Sequence, residues 1–564
     1  MQGIVYTLSA ACRDCYRCLR KCPVKAISMK NGQAFVEQNR CISCGTCVRE
    51  CPQGAKTYQK DISKLEEYIN NAKEFAVTVA PSFIARYKED FFGKVVALLR
   101  RYAVYVAETT IGASFVTDKI LNNKTIDTFR DSQIGSACPA VVNYIKRYRP
   151  DMLAAVSNTV SPMVAHARYI KSRFKDAKIV FIGPCIAKKD EASWPETNGI
   201  IDAVLTFDEL EEWISANREE IDKLNPVSFD EYSTGVCGLY PLEGGMIDSA
   251  ANTAIKKVHI SGEELIAEYL GNIDCCETPE FCEALFCREG CINGPGVKWD
   301  TNIFVRKSAV NKYVKSIAGS DNISDIKSPD DLSVIYSNDK TFNRKIYTEE
   351  EITGVLALTG KSDQADQLNC QACGYESCRD NAIAVLDGVA ELEMCIPYMR
   401  KKAEKRADRI METSPNGIIL LDKNLQIVKM NNAFKEFFLC TDALIGKRVS
   451  YLFDPGNFEM VLSGENDMVD VVTQYKQYGL VCHEIVYAMR DDELLAGIFV
   501  NITNLQKNEK QLEIIKKQTI KQARDLLEHQ IGMAQELAAF LGESTAKGEE
   551  IIGKLISLDG DGDE

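Results

Sequence analysis

At 564 residues, 45% hydrophobic and 26% charged, the chain is long enough for about three to five globular domains and ordinary in composition for them. No apolar run approaches the ~20 residues of a spanning helix, and Cys12 is reached without the basic and apolar regions of a signal peptide. The formal charge of −14 lacks the basic footprint of a general nucleic-acid binder, so the expectation is a soluble, cytoplasmic protein with neither a membrane nor a nucleic-acid partner.

Twenty-two cysteines set this chain apart. Disulfides suit short secreted chains, whereas the spacings here fit metal ligation. Sixteen fall into ligand patterns; Cys237, Cys275, Cys276, Cys282, Cys440 and Cys482 are left over and read as small buried apolar residues. Residues 1–60 repeat one spacing, Cys12-x2-Cys15-x2-Cys18-x3-Cys22-Pro23 and Cys41-x2-Cys44-x2-Cys47-x3-Cys51-Pro52. Duplicated, this is the bacterial two-cluster ferredoxin pattern, in which the fourth thiolate of each run crosses to the other cluster. Cys12, Cys15, Cys18 and Cys51 are assigned to one 4Fe-4S cube, and Cys41, Cys44, Cys47 and Cys22 to the other.

Residues 61–330 alternate short apolar runs with helical patterns. The runs at Phe75–Ala80, Ala103–Ala107, Leu153–Ser157, Lys178–Ile182 and Ala203–Thr206 predict the strands of an α/β domain with largely parallel sheets. Ligand sites in such sheets gather at the carboxyl ends of strands, where Ala80-Pro81-Ser82 and Cys185 fall.

Four cysteines in this region lie far apart, in Ser136-Ala-Cys138-Pro-Ala140, Gly183-Pro-Cys185-Ile-Ala-Lys188-Lys-Asp-Glu191 and Ala284-Leu-Phe-Cys287-Arg-Glu289-Gly-Cys291-Ile-Asn-Gly-Pro-Gly296. Three such stretches in this order, after a two-cluster ferredoxin pattern, resemble the signature motifs of the FeFe (iron-only) hydrogenases. The resemblance implies a two-lobed α/β hydrogenase domain holding an H-cluster. That cofactor is a 4Fe-4S cube on Cys138, Cys185, Cys287 and Cys291, bridged through Cys291 to a diiron subsite with CO, cyanide and azadithiolate. It also implies that Ser82, beside Pro81, and Lys188 meet the cyanides, that Glu191 ends its motif, and that Gly244-Gly245-Met246 lines the subsite.

Some positions depart from the family. Catalytic relatives usually carry a relay cysteine where this chain has Ala137, and a methionine where it has Gly183. The relay glutamates expected after Ala107-Glu-Thr-Thr110 are missing from Thr117-Asp-Lys-Ile120. Glu289, between two cluster ligands, and Glu243 are the ionisable candidates that remain. The expectation is a weakened or rerouted proton path.

Residues 331–407 carry Cys370-x2-Cys373-Gly-Tyr-x2-Cys378 and, beyond a helical segment, Cys395. This resembles a small helical 4Fe-4S module, with a zinc knuckle as the alternative. Residues 408–507 give five strand-like runs and a helix at Asn431-Asn-Ala-Phe434, resembling an α+β PAS sensor domain. His483 there reads as an ordinary strand residue, with haem ligation the alternative. In 508–564, Ile520, Ala523, Leu527, Gln530, Ala534, Leu537 and Leu541 recur at three-four spacing, a coiled-coil seam predicting a homodimer; a helix packed back on the PAS domain is the alternative. The acidic tail from Asp559 to Glu564 reads as disordered.

The whole pattern resembles the sensory, group D branch of the FeFe hydrogenases. It implies slow, reversible chemistry on H2 and protons, three further 4Fe-4S clusters, exchange with ferredoxin or another redox carrier, and a downstream signalling protein. The rivals are a metabolic ferredoxin-linked hydrogenase and a hydrogenase-like electron-transfer or scaffold protein without a diiron site.

Overall fold

The computed structural model describes residues 3–122, 133–233, 235–250, 256–273, 280–318, 326–338, 342, 345–489, 493–503 and 518–533. It divides into two compact units, one ending at Ile396 and one beginning at Pro397.

In the first unit, strand β1 (Val5–Thr7) pairs antiparallel with β4 (Lys56–Tyr58), and β2 (Ile27–Lys30) with β3 (Gln33–Val36), so the two cysteine repeats fold as one body. The repeats are conformational copies. Asp14 and Ser43, between the first two cysteines of each run, are left-handed with φ of 53° and 58°. Tyr16 and Gly45, one position after the second cysteine, have φ of 54° and 75°. Left-handed residues other than glycine are uncommon and persist where the surroundings impose them. Alternating left-handed residues of this kind are the backbone pattern that forms anion-binding nests.

Next come two parallel sheets. The first has the order β6 (Tyr105–Glu108), β5 (Phe75–Val79), β8 (Lys178–Gly183), β9 (Ala203–Thr206). The second has the order β10 (Lys256–Ser261), β11 (Glu280–Leu285), β7 (Gln133–Ile134). All pairings in both are parallel. Strands β5, β6, β8, β9 and β11 are buried along nearly their whole length, as parallel strands between helices are. The expected strand at Leu153–Ser157 is instead a 3-10 turn, Pro150–Ala155, begun by a proline that lacks a donor and fits the first helical position. Only Val156 makes a bridge, to Ile134.

The cysteine module follows. Thr348 caps the helix Glu349–Leu358 with a capping box, and Ser377 caps Cys378–Leu386. All sixteen ligand cysteines read from the sequence therefore lie in this first unit.

In the second unit, helix Ile396–Thr413 leads into an antiparallel sheet ordered β13 (Ile427–Met430), β12 (Gly417–Asp422), β16 (Leu494–Asn501), β15 (Leu480–Met489), β14 (Met468–Tyr475). Phe434, Phe438, Phe453, Phe458, Phe499 and Tyr475 fill its inner face. Asn431 pins the entry. Its Oδ1 accepts from the Ile418 and Phe434 N–H groups at 2.8 and 3.0 Å, and its Nδ2 donates to the Met411 and Asn416 carbonyls at 2.9 and 2.8 Å. On the other face, Ala523, Leu526, Leu527 and Gln530 of a helix over 518–533 share a cleft with Ile418, Leu420, Tyr487, Ala496 and Ile498. Ala523, Leu527 and Gln530 belong to the predicted seam, so that side of the helix meets its own sheet. Ala534, Leu537 and Leu541, the tail and Cys275 and Cys276 lie outside the described residues.

Candidate metal centres

The topology brings the dispersed motifs together. Ala80-Pro81-Ser82 leaves the carboxyl end of β5, and Pro184-Cys185 that of β8; Ala137-Cys138 follows β7, and Cys287 follows β11. Parallel strands deliver each loop to the same edge of its sheet. Backbone contacts then lock the loops. The Gly296 N–H donates to the Pro184 carbonyl at 2.9 Å, joining the Cys291 stretch to the Cys185 stretch. Gly290, at φ 93°, lies so close to the Gly-Gly loop that a Cβ there would stand 2.4 Å from the Pro241 carbonyl oxygen.

The thiols of Cys138, Cys185, Cys287 and Cys291 act on one another electrostatically, each ionised neighbour opposing the next. Burial pushes the Cys185 thiol up to about 12 and raises Cys287 and Cys291 too, each thiol neighbour adding to it. Buried thiolates so disfavoured need a cation, and metal binding would release their protons. The same holds elsewhere. Cys12, Cys15, Cys18 and Cys51 line one pocket. Cys22, Cys41, Cys44 and Cys47 repel one another as anions, with Cys22 pushed up to about 11 and Cys41 to about 12, chiefly by burial. Cys373 feels Cys395 and Cys370, and Lys361 bridges Cys395 and Cys378. Among the described residues no three His, Cys, Asp or Glu side chains converge on a single ion.

Around the central thiols stands a polar shell. Lys188 is buried and donates to Glu191 at 2.6 Å, to Ser161 Oγ at 2.9 Å and to the Ala137 carbonyl at 3.3 Å. Its charge also eases ionisation of Cys185 and Cys291. Ser82 is 1% exposed, and its Oγ has no partner among the described residues. A buried hydroxyl without a partner is costly, and a cyanide would supply the acceptor. The donor set, the lysine and the orphaned serine thus fit the group the sequence implied. Gly183 has no room for a methionine: a Cβ would lie 2.7 Å from the Phe181 ring and 3.1 Å from Ala80 Cβ.

The ionisable candidates sort differently from the sequence reading. Glu289 is left-handed at φ 66°, completing the turn between Cys287 and Cys291. Its carboxylate pairs with Lys307, both side chains being more than a third exposed, so what it gives the thiol set is its backbone turn. Sequence reasoning missed Glu283. This carboxyl is buried on β11, accepts from the Ile247 N–H at 3.1 Å, and is close enough to raise the Cys291 thiol. Burial pushes its own pKa up to about 8. It also acts on Tyr240, whose hydroxyl meets Thr117 Oγ1 at 2.9 Å; Thr117 meets Ser249 Oγ at 2.9 Å. Cys237 completes this polar patch. No sequence spacing marks Glu283, because an inward glutamate on a strand becomes unusual only once both sheet faces are covered. His483 is buried and paired with Asp470, an ordinary strand histidine in its contacts.

Comparison with known proteins follows the same division of the chain. The C-terminal domain of the iron-only hydrogenase large subunit matches residues 72–276, a 4Fe-4S dicluster domain residues 11–56, an Fe-S cluster family residues 366–397, and a PAS domain residues 405–469. The chain is 33% identical over 141 residues to the periplasmic Fe hydrogenase large subunit of Nitratidesulfovibrio vulgaris, which spans 22% of this chain and 34% of that protein. It is 33% identical over 94 residues to the cytosolic Fe-S cluster assembly factor NAR1 of Vanderwaltozyma polyspora, 16% of this chain and 18% of that protein. The chain thus spans about a third or less of the length of these curated relatives. The FeFe-hydrogenase HydA1 from Chlamydomonas reinhardtii aligns at 16% identity and a TM-score of 0.37, covering 48% of this chain and 91% of that one. No helix among the described residues is long and apolar enough to cross a membrane.

Proposed function

Because this chain is a hydrogenase-like iron–sulfur protein with a PAS domain, we propose that it is a slow, reversible hydrogenase whose redox state is read out as a signal. The residues that would hold the H-cluster are Cys138, Cys185, Cys287 and Cys291, with Ser82 and Lys188 at its cyanides; when bound, the group would supply the iron site at which H2 is split heterolytically. The observation that carries the reading is the shell beyond the ligands. Four thiolates suffice for an electron-transfer cube, whereas this pocket keeps, beside a lysine tied to Glu191, a buried serine hydroxyl without a partner.

The protein's own part is to hold a dry cavity, orient an anion and move a proton. Lys188 and Ser82 orient. Ala137 holds no proton, which supports slow turnover. Glu283, with its pKa near 8, changes charge close to neutral pH, as a proton carrier must. A second reading, a scaffold without a diiron site, is favoured by the likeness to the assembly factor NAR1. Infrared spectroscopy of protein matured with the diiron assembly machinery separates the two. Bands from CO and cyanide on iron are expected; a protein with all its cubes and no such bands would be the scaffold.

A further inference from the structure

The cysteine module that ends at Cys395 is fastened to the ferredoxin region at several points. Lys25 Nζ donates to the Gly374 carbonyl at 2.9 Å, and Arg40 pairs with Asp387 at 2.8 Å, the two side chains only 12% and 6% exposed. The Met29 N–H donates to the Val389 carbonyl at 3.1 Å, and the Asn31 N–H to the Glu391 carboxylate at 2.8 Å. Tyr375 lies in one apolar cluster with Cys22, Leu19 and Met29. The thiols that act on its ring hydroxyl are those of Cys373, in the module, and Cys22, in the ferredoxin region. The module therefore meets the thiol set of Cys22, Cys41, Cys44 and Cys47. On another side that same set meets the hydrogenase-like domain. A Cβ on Gly45 would touch Pro295 and Ile186, and Asn143 Nδ2 donates to the Ile42 carbonyl at 3.3 Å.

The two thiol sets that meet at Tyr375 are hydrogen-bonded differently. Cys22 and Cys41 accept from the backbone N–H groups of Ala26 and Ser43 at 3.2 and 3.4 Å, both neutral donors, and cations act on this set through space, Lys25 on Cys22, Arg147 on Cys41, Arg49 on Cys44 and Lys56 on Cys47. Cys395 accepts from the ammonium of Lys361 at 2.9 Å. Lys361 is 7% exposed and acts on Cys378 and Cys373 as well. A charge-assisted bond of this kind is roughly twice as strong as a neutral one. Adding an electron to a cube makes it and its thiolates more negative, so a buried fixed cation favours the reduced state and raises the potential.

We propose that Lys361 holds the potential of the 4Fe-4S group at Cys370, Cys373, Cys378 and Cys395 above that of the group at Cys22, Cys41, Cys44 and Cys47, making the module an electron-holding side branch of the chain's wire. One electron leaves the reduced ferredoxin group and enters the oxidised module group; no bond or proton changes, and Lys361 stays an ammonium throughout. The chain runs directly from Cys395 into helix Ile396–Thr413 and the PAS domain, so the ligand that Lys361 touches is also the first residue of the output path. The inference rests on the cluster assignment above and is independent of the diiron site.

The test is a redox titration of the reconstituted full-length protein, with mediators and dithionite, followed by electron paramagnetic resonance. Cys370→Ser, at an exposed ligand, identifies the module's signal as the one it alters. In the unaltered protein that signal should appear before those of the ferredoxin groups. Lys361→Gln should lower its midpoint by at least the ~59 mV of a tenfold one-electron shift, while Lys361→Arg recovers most of it. Reduction of the module last of all, or midpoints unmoved by Lys361→Gln, would overturn the proposal, as would binding of zinc in place of iron at the module. These midpoints are measurable whether or not the infrared bands of the diiron site are present, so failure here and failure of the hydrogenase reading are told apart.

Discussion

A buried carboxyl group keeps its proton until the surroundings can bear its charge, and two glutamates of this chain, Glu283 and Glu108, are in that position. Glu283 faces Cys291, and Glu289, the residue its motif suggested, turns outward to Lys307. Glu283→Gln should lower hydrogen-dependent dye reduction about a hundredfold or more, the lower end of what a positioned acid–base group contributes, with the resting infrared spectrum unchanged. Glu289→Gln should stay within about threefold of wild type, since its backbone serves the turn. Full speed in Glu283→Gln would remove it from the proton path. Glu108 gives a stability counterpart away from the thiols. Burial raises its pKa from 4.5 to about 8, with Thr110 donating at 2.9 Å. A raised folded-state pKa means the unfolded chain loses this proton first, so stability falls as pH rises from 4.5 to 8 and levels off above. Glu108→Gln should therefore gain relative to wild type across that window; denaturant titrations at pH 5 and pH 8 giving the same difference would refute this. At this scale the sequence speaks where spacing carries chemistry, as in the grouping of the sixteen cysteines and the place of Lys188 three residues after Cys185. It is silent on Glu283, Glu108 and the Ser161 contact of Lys188, because their surroundings are made by distant strands.

Among the elements, periodicity reveals the long buried strands and hides the short ones. β5, β8 and β9 fall where apolar runs predict them. β7 has two residues, and β10 carries Lys256, Lys257 and His259, so neither makes an apolar run. β11 reads Glu-Phe-Cys-Glu-Ala-Leu and is wholly buried, its glutamates disguising it. The second sheet that delivers Cys138 and Cys287 was thus illegible, although the cysteines themselves were not. In the PAS domain the strands are longer, and all five follow the predicted runs. What fixes their entry is a side chain. Asn431 serves four backbone groups at once, and Asn431→Ala removes all four bonds, two of them buried. The loss should be about 2–4 kcal/mol, read as a lower midpoint in urea for a fragment spanning the PAS domain. A change below 1 kcal/mol would mean that water replaces the amide and that the aromatic core alone holds the entry.

At the scale of the molecule, the ligand cysteines and the PAS domain occupy separate compact units. Every ligand cysteine lies at or before Cys395, and among the described residues the aromatic PAS core draws on residues from Ile419 to Phe499. The cores beneath the metal sites draw on residues up to Met394. Units with their own cores fold on their own terms, which makes a truncation informative. A chain of residues 1–407 keeps all four thiol sets together with Ser82, Lys188 and Glu283. After full reconstitution and maturation it should bind about eighteen irons, four cubes and one diiron unit. It should also retain the infrared bands and the hydrogen turnover of the full chain within about twofold. Two separate unfolding transitions are expected of the full chain, and one of the truncated form. Loss of iron or of the infrared bands on truncation would make the tail part of the metal-binding fold rather than its reader. Iron near eight per chain in both forms would instead leave only the ferredoxin repeats as cluster sites, taking the central centre and the module out of the account together.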